Sequence, residues 1–195
     1  MALFDIELEE GQVREDGGMA TLIEWARRFA ERGWTPSYGP GDHGNMSCRV
    51  REGMLITARE TAKASLRPEH FALVTGVVQR GGQWVVRGAG RRLPSTDALL
   101  HWRVYQARPE IAAILHGHDS TTLRAARRLG IPLTASDGRA PSMALLEEAC
   151  QLARQHDYVL MRAHGFLSLG RSVAEAGERA ETWSQRAASK EQVEK

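Results

Sequence analysis

His116, His118 and His164 are the residues of this sequence whose type and spacing best suit chemistry. His116 and His118 are separated by one glycine, and residues two apart on an extended strand project to the same side. The apolar run Ile111-Ala112-Ala113-Ile114 ahead of them reads as a buried strand that ends in a polar site. His164 follows a second such run, Tyr158-Val159-Leu160-Met161. Where two strand ends of this kind meet, three imidazole nitrogens face one point. Such a set ligates a divalent ion and leaves positions open for a substrate, which is the pattern of a metalloenzyme. The competing reading gives each histidine a structural hydrogen bond to a carbonyl. Spacing alone does not set the two strands side by side.

The elements that must position these residues alternate along the chain. Leu22, Trp25, Ala26 and Phe29 recur at helical spacing over Met19–Arg32, and Gly33 ends that helix. Strands are expected over Met46–Val50 and Met54–Thr57, joined by Arg51-Glu52-Gly53, and over Phe71–Val74. Val77-Val78 and Trp84-Val85-Val86 suggest a hairpin through Gly81-Gly82. A helix over Thr96–Ala107 leads into the strand bearing the histidine pair. Helices follow over Ser120–Leu129, Pro141–Arg154 and Val173–Lys190, with a last strand over Gly165–Leu169. The five tryptophans read as packing. The whole chain, 1–195, reads as a single α/β domain whose first 16 or so residues form a loose tail.

Bulk properties exclude several function classes. A chain of 195 residues suits one domain with a substantial core. The net charge of +2 and the scattered pairs Arg27-Arg28, Arg91-Arg92 and Arg127-Arg128 do not form a nucleic-acid footprint. No apolar run is long enough to span a membrane, and the acidic N-terminus does not resemble a signal peptide. Cys48 and Cys150 form no paired motif, so a reducing cytoplasm is expected.

Four blocks between about Met19 and Ala180 carry a family resemblance. They are Gly44-Asn45-Met46-Ser47-Cys48-Arg49, then Met54-Leu55-Ile56-Thr57, then Leu93-Pro94-Ser95-Thr96-Asp97 through Arg108-Pro109-Glu110 to His116-Gly117-His118, and finally Leu160-Met161-Arg162-Ala163-His164-Gly165. In this order they are similar to the class II aldolase/adducin family, which holds metal-dependent sugar-phosphate enzymes such as fuculose-phosphate aldolase. The resemblance implies a central mixed, largely antiparallel β-sheet sandwiched between helical layers. It implies one divalent ion per chain on His116, His118 and His164, zinc by family habit, with manganese, iron, cobalt and nickel chemically open. It also implies a homotetramer with sites at subunit interfaces, and a small anionic substrate.

In the family's aldolases the ion chelates a carbonyl and its neighbouring hydroxyl and so stabilises an enediolate. A glutamate moves the proton there, and Asp97, one methylene shorter, matches its position. Asp97 also precedes a helix, where Ser, Thr or Asp caps the first turn. The roles are compatible, since Ser95 or Thr96 can cap while Asp97 faces the ion. Asp119 either orients an imidazole or caps the helix from Ser120. His101 matches a structural family position, and His43 is placed to touch an anionic substrate. His70 and His156 look like surface residues.

The phosphate-binding loops of the family match Gly44, Asn45, Ser95 and Thr96. A third loop departs, because its glycine has become Glu60, next to an Arg59 that can bind phosphate or carboxylate. The stretch between His118 and His164 looks shorter than in the aldolases, and the tyrosine-bearing C-terminal tail is not matched. A smaller or different substrate is therefore expected. Three readings stay open: aldol cleavage or condensation through a metal-stabilised enediolate, dehydration or epimerisation on the same site, and a non-catalytic adducin-like interaction protein.

Overall fold

Alternation of apolar residues along the strands decides the architecture. Met54 and Ile56 belong to one core, and Leu55 between them to the other. Ile114 points to the first core, while Ala113 and Leu115 point to the second. Val159 and Met161 divide from Tyr158 and Leu160 in the same way. This period of two gives a sheet with an apolar layer on each face. The computed structural model describes residues 3–11, 13–14, 17–138 and 142–192.

The strands are β1 (Asp5–Glu9), β2 (Asn45–Val50), β3 (Gly53–Thr57), β4 (Phe71–Arg80), β5 (Gln83–Gly90), β6 (Ala113–Gly117), β7 (Tyr158–Met161) and β8 (Gly165–Gly170). They form one 8-stranded sheet in the order β1-β5-β4-β3-β2-β6-β8-β7. Among these eight strands only the β1 pairing with β5 is parallel. The helices are α1 (Gly17–Glu31), α2 (Ala98–Ala107), α3 (Ser120–Leu129), α4 (Met143–Ala153) and α5 (Val173–Gln192). Residues of α2 and α4 fill the core on one face of the sheet, and residues of α1, α3 and α5 fill the other. The expected sandwich is present. Each fully buried Leu, Ile or Phe in these layers contributes roughly 1.5–3 kcal/mol.

The N-terminus corrects the sequence reading. Asp5–Glu9 is not a loose tail but an edge strand in parallel register with β5. Phe4, 3% exposed, joins the core beside Met54 and Ile56. The exposed Asp5, Glu7 and Glu9 alternate with half-buried Ile6 and Leu8. The abundance of acid hid a period of two, and charges on the outer face of an edge strand also discourage pairing with other chains. Glu7 binds Arg80 and, at 3.0 Å, Arg87 on the neighbouring strands. Residues 1–2, 12 and 15–16 of the expected tail lie outside the described residues, as does the expected start of α4 at Pro141.

Other boundaries also moved, and β6, expected over the run Ile111–Ile114, spans Ala113–Gly117. The separate strands expected around Val74 and Val77 are one strand with a register shift between Val74 and Gly76. The helix expected from Thr96 begins at Ala98.

Candidate metal centre and its cleft

His116 lies in β6 and His118 just past its end, where the backbone N–H of His118 donates to the carbonyl of Trp34 at 2.7 Å. His164 lies in the tight turn between β7 and β8. Because β8 pairs with β6 as well as β7, that turn ends beside Gly117. The adjacency that spacing left open is thus made by β8. Gly165 permits it, since a Cβ there would lie 2.2 Å from the Gly117 carbonyl and 3.0 Å from His116 Cε1.

The ligating nitrogens of His116, His118 and His164 lie within 4.8 Å of one another. The rings of His116 and His164 stack at 4.9 Å, only 5° from parallel. His116 Nδ1 lies 2.7 Å from the Phe166 carbonyl. A carbonyl only accepts, so Nδ1 carries the proton and Nε2 is left as a lone-pair donor. Burial, and then the neighbouring His164, holds His116 well below the ordinary imidazole range. Burial likewise takes His118 down to about 2, with His116 and His164 adding to it. Neutral imidazoles converging in a cleft are the donor set that a zinc-like ion requires, and these three could hold one.

Asp97 occupies the residue before α2 but makes no capping bond with its side chain. Ser95 Oγ takes that part, accepting from the Asp97 N–H at 3.2 Å. The Asp97 carboxylate instead turns toward the histidines, with Oδ2 3.9 Å from His116 Nε2. Oδ2 also accepts a 2.6 Å hydrogen bond from Asn45 Nδ2. Asp119 does cap α3, its Oδ1 accepting from the Thr121 N–H at 2.9 Å. His101 is fully buried and bonds Ser47 Oγ at 2.8 Å through Nδ1, apart from the three converging histidines.

The remaining walls come from two loops pressed together. Gly44, at φ 78°, brings the first loop onto β6, where a Cβ would meet the His116 carbonyl at 2.8 Å. The same loop places His43 against His118 at 4.9 Å and Tyr38 against His43 at 4.8 Å. The second loop carries Arg59 and Glu60. Glu60 keeps a left-handed backbone, φ 55°, a conformation that favours glycine. Arg59 donates from Nε to the Pro94 carbonyl at 2.9 Å.

Together these residues line a cleft of about 610 Å³ that holds Gly44, Asn45, Arg59, Ser95, Thr96, Asp97 and all three histidines. Sequence reading missed Lys63, which is 2% exposed yet borders the same cleft. Its one visible signal was a lysine set between two alanines, Ala62 and Ala64, after a glycine-poor loop. Tyr38, Asp42 and Gly138 were also missed.

Comparison with known proteins agrees with this fold. Residues 20–189 match the family described as Class II Aldolase and Adducin N-terminal domain. Methylthioribulose-1-phosphate dehydratase of Methylococcus capsulatus is 32% identical over 186 residues, covering 80% of this chain and 84% of that one. Its namesake from Yersinia pestis is 30% identical over 191 residues, covering 84% and 80%. Among solved structures, L-fuculose-1-phosphate aldolase from Thermus thermophilus superposes with a TM-score of 0.69 at 20% identity, over 87% of this chain and 90% of that one. A sugar-phosphate aldolase from Thermotoga maritima gives 0.68 at 20% identity, over 87% and 93%. The match over residues 20–189, the shared fold and the converging histidines lead to one assignment: the chain belongs to the class II aldolase and adducin family.

Proposed function

We propose that the protein is a metal-dependent hydro-lyase that dehydrates a phosphorylated ketose of the methylthioribulose 1-phosphate class. The observation that carries this reading is the convergence of three imidazoles with one carboxylate, Asp97 Oδ2 standing 3.9 Å from His116 Nε2. The sequence relatives bear the dehydratase name, which favours dehydration over the aldol cleavage first expected. The non-catalytic reading loses support from the same convergence.

A divalent ion held by His116, His118 and His164 would polarise a carbonyl and an adjacent hydroxyl as a Lewis acid. Asp97 removes the proton from the carbon next to that carbonyl. The hydroxyl on the following carbon then leaves and, with a proton returned to it, becomes water. The enol that remains tautomerises to a dicarbonyl, so one water is the only atom loss. Ser95 Oγ accepts from Asp97 N–H and keeps its own proton to donate to an anion. Thr96, the Gly44 backbone and the terminal nitrogens of Arg59, whose Nε is already engaged, complete the anionic end. Glu60 borders that end beside Arg59, whose charge offsets its own. The reading includes zinc, which the imidazole set suits, a homotetramer, and a cytoplasmic setting for a chain whose two cysteines are buried.

The test is methylthioribulose 1-phosphate followed by NMR in deuterated water. Dehydration yields a dicarbonyl with the carbon chain whole. Separate aldehyde and ketone-phosphate fragments would establish aldol cleavage instead.

A further inference from the structure

We propose that Asn45 is the positioning residue of Asp97, and that its side-chain carbonyl reads a substrate hydroxyl instead of phosphate. The inference rests on the reading of Asp97 as the acid/base. Asn45 opens β2 directly opposite His116 in the β2–β6 register, which sets both beside the metal centre. It is 5% exposed, and its Nδ2 donates to Asp97 Oδ2 at 2.6 Å. Among the described residues no other group donates to that carboxylate. Asp97 does not cap its helix, so the single bond from Asn45 is what selects the carboxylate's direction. It fixes Oδ2 on the histidine side and leaves Oδ1 to carry the proton.

The direction of the amide follows from chemistry. An ionised carboxylate only accepts, so Asn45 must present its NH₂ to Asp97 and turn Oδ1 away. Asn45 Oδ1 is buried with no hydrogen-bond partner, although the residue borders the cleft. A phosphate dianion is acceptor-only and cannot satisfy that oxygen. A hydroxyl can, as donor, and the neutral sugar end of the substrate carries hydroxyls. This separates Asn45 from Ser95, Thr96 and Arg59, which offer donors.

The test compares wild type with Asn45→Ala and with Asn45→Asp, which keeps the shape and the acceptor but loses the donor. Zinc content reports that each variant has folded around its site. Three readouts then decide. Crystal structures of the variants should show the Asp97 carboxylate turned away from His116. The dissociation constant of inorganic phosphate should stay within about twofold of wild type in Asn45→Ala, which adds no charge to the cleft. The kcat should fall about 10–100-fold in both variants, as for loss of a group that orients a catalytic one. KM should be little changed in Asn45→Asp, which keeps the acceptor, and raised in Asn45→Ala, which loses it. Asp97 unmoved in both variants, or phosphate binding weakened about tenfold or more in Asn45→Ala, would overturn the inference. A wild type that turns over no sugar phosphate counts against the dehydratase reading only, because the carboxylate position and phosphate affinity still decide the role of Asn45.

Discussion

Replacing Lys63 by methionine isolates the effect of burying one amine in the cleft wall. Lys63 Nζ donates to the Thr61 carbonyl at 2.9 Å, to the Asp42 carbonyl at 3.2 Å and to Thr61 Oγ1 at 3.2 Å. All three acceptors are neutral, and the Asp42 carboxylate instead accepts the Lys63 backbone N–H at 2.7 Å. Burial therefore lowers the amine from 10.5 to about 8, the Asp42 charge opposing it only in part. A base with a depressed folded pKa destabilises the native chain while it is protonated. The loss is full below the folded value and is recovered as pH rises from about 8 towards 10.5. At 1.36 kcal/mol per pH unit the whole effect is about 3 kcal/mol, most of it recovered by about pH 10. Methionine has nothing to titrate and leaves the Asp42 carbonyl short of a donor, a penalty constant with pH, while the Thr61 carbonyl keeps the Asp42 N–H at 3.2 Å. Urea unfolding of both proteins at pH 7 and pH 10 should show wild type gaining about 2–3 kcal/mol on the variant. Parallel stabilities at the two pH values would refute the argument that the ammonium is held at a cost.

Other perturbations test the site from different sides. Gly165→Ala forces β6 and β8 apart at His116, costing roughly 1–3 kcal/mol of stability in urea unfolding together with weaker zinc binding. A variant as stable as wild type with full metal would mean the strands have slack there. Asp97→Asn should keep its ion and lose about 10²–10⁴-fold in turnover, while Asp97→Glu, one methylene longer, should keep part of it; equal rates in Asp97→Asn and wild type would remove Asp97 from the chemistry. A chelator should lower Tm by about 5–10 °C, from roughly 2.7 kcal/mol of ligand stabilisation in a chain of this size. An unchanged melting curve would argue against a bound ion. Light scattering should give a tetramer, and a monomer would defeat that expectation.

Much of the fold was legible because apolar residues keep their period where they face a core. The helix through Leu22 and Phe29 was read from that spacing, and the strands through Met54, Ile114 and Val159 as short apolar runs. β1 was not, because Asp5, Glu7 and Glu9 at a sheet edge mimic a solvated tail. The histidines were legible as types and spacing, but their meeting depends on β8 lying between β6 and β7, a long-range pairing that no local pattern encodes. Asp97 was legible through the motif around it, though not the amide that holds it. Asn45 reads as a loop residue until the β2–β6 register sets it opposite His116. Lys63 was missed because its burial comes from two loops packing together, with the Gly41 backbone against Glu60, far from any periodic segment.

The most direct measurement is the metal content of the purified protein beside a His116→Ala, His118→Ala double variant. Wild type should hold about one divalent ion per chain, and a double variant that remains folded should hold none. A wild type that holds no ion after zinc is supplied, or a variant that holds as much, would contradict the three-histidine metal centre.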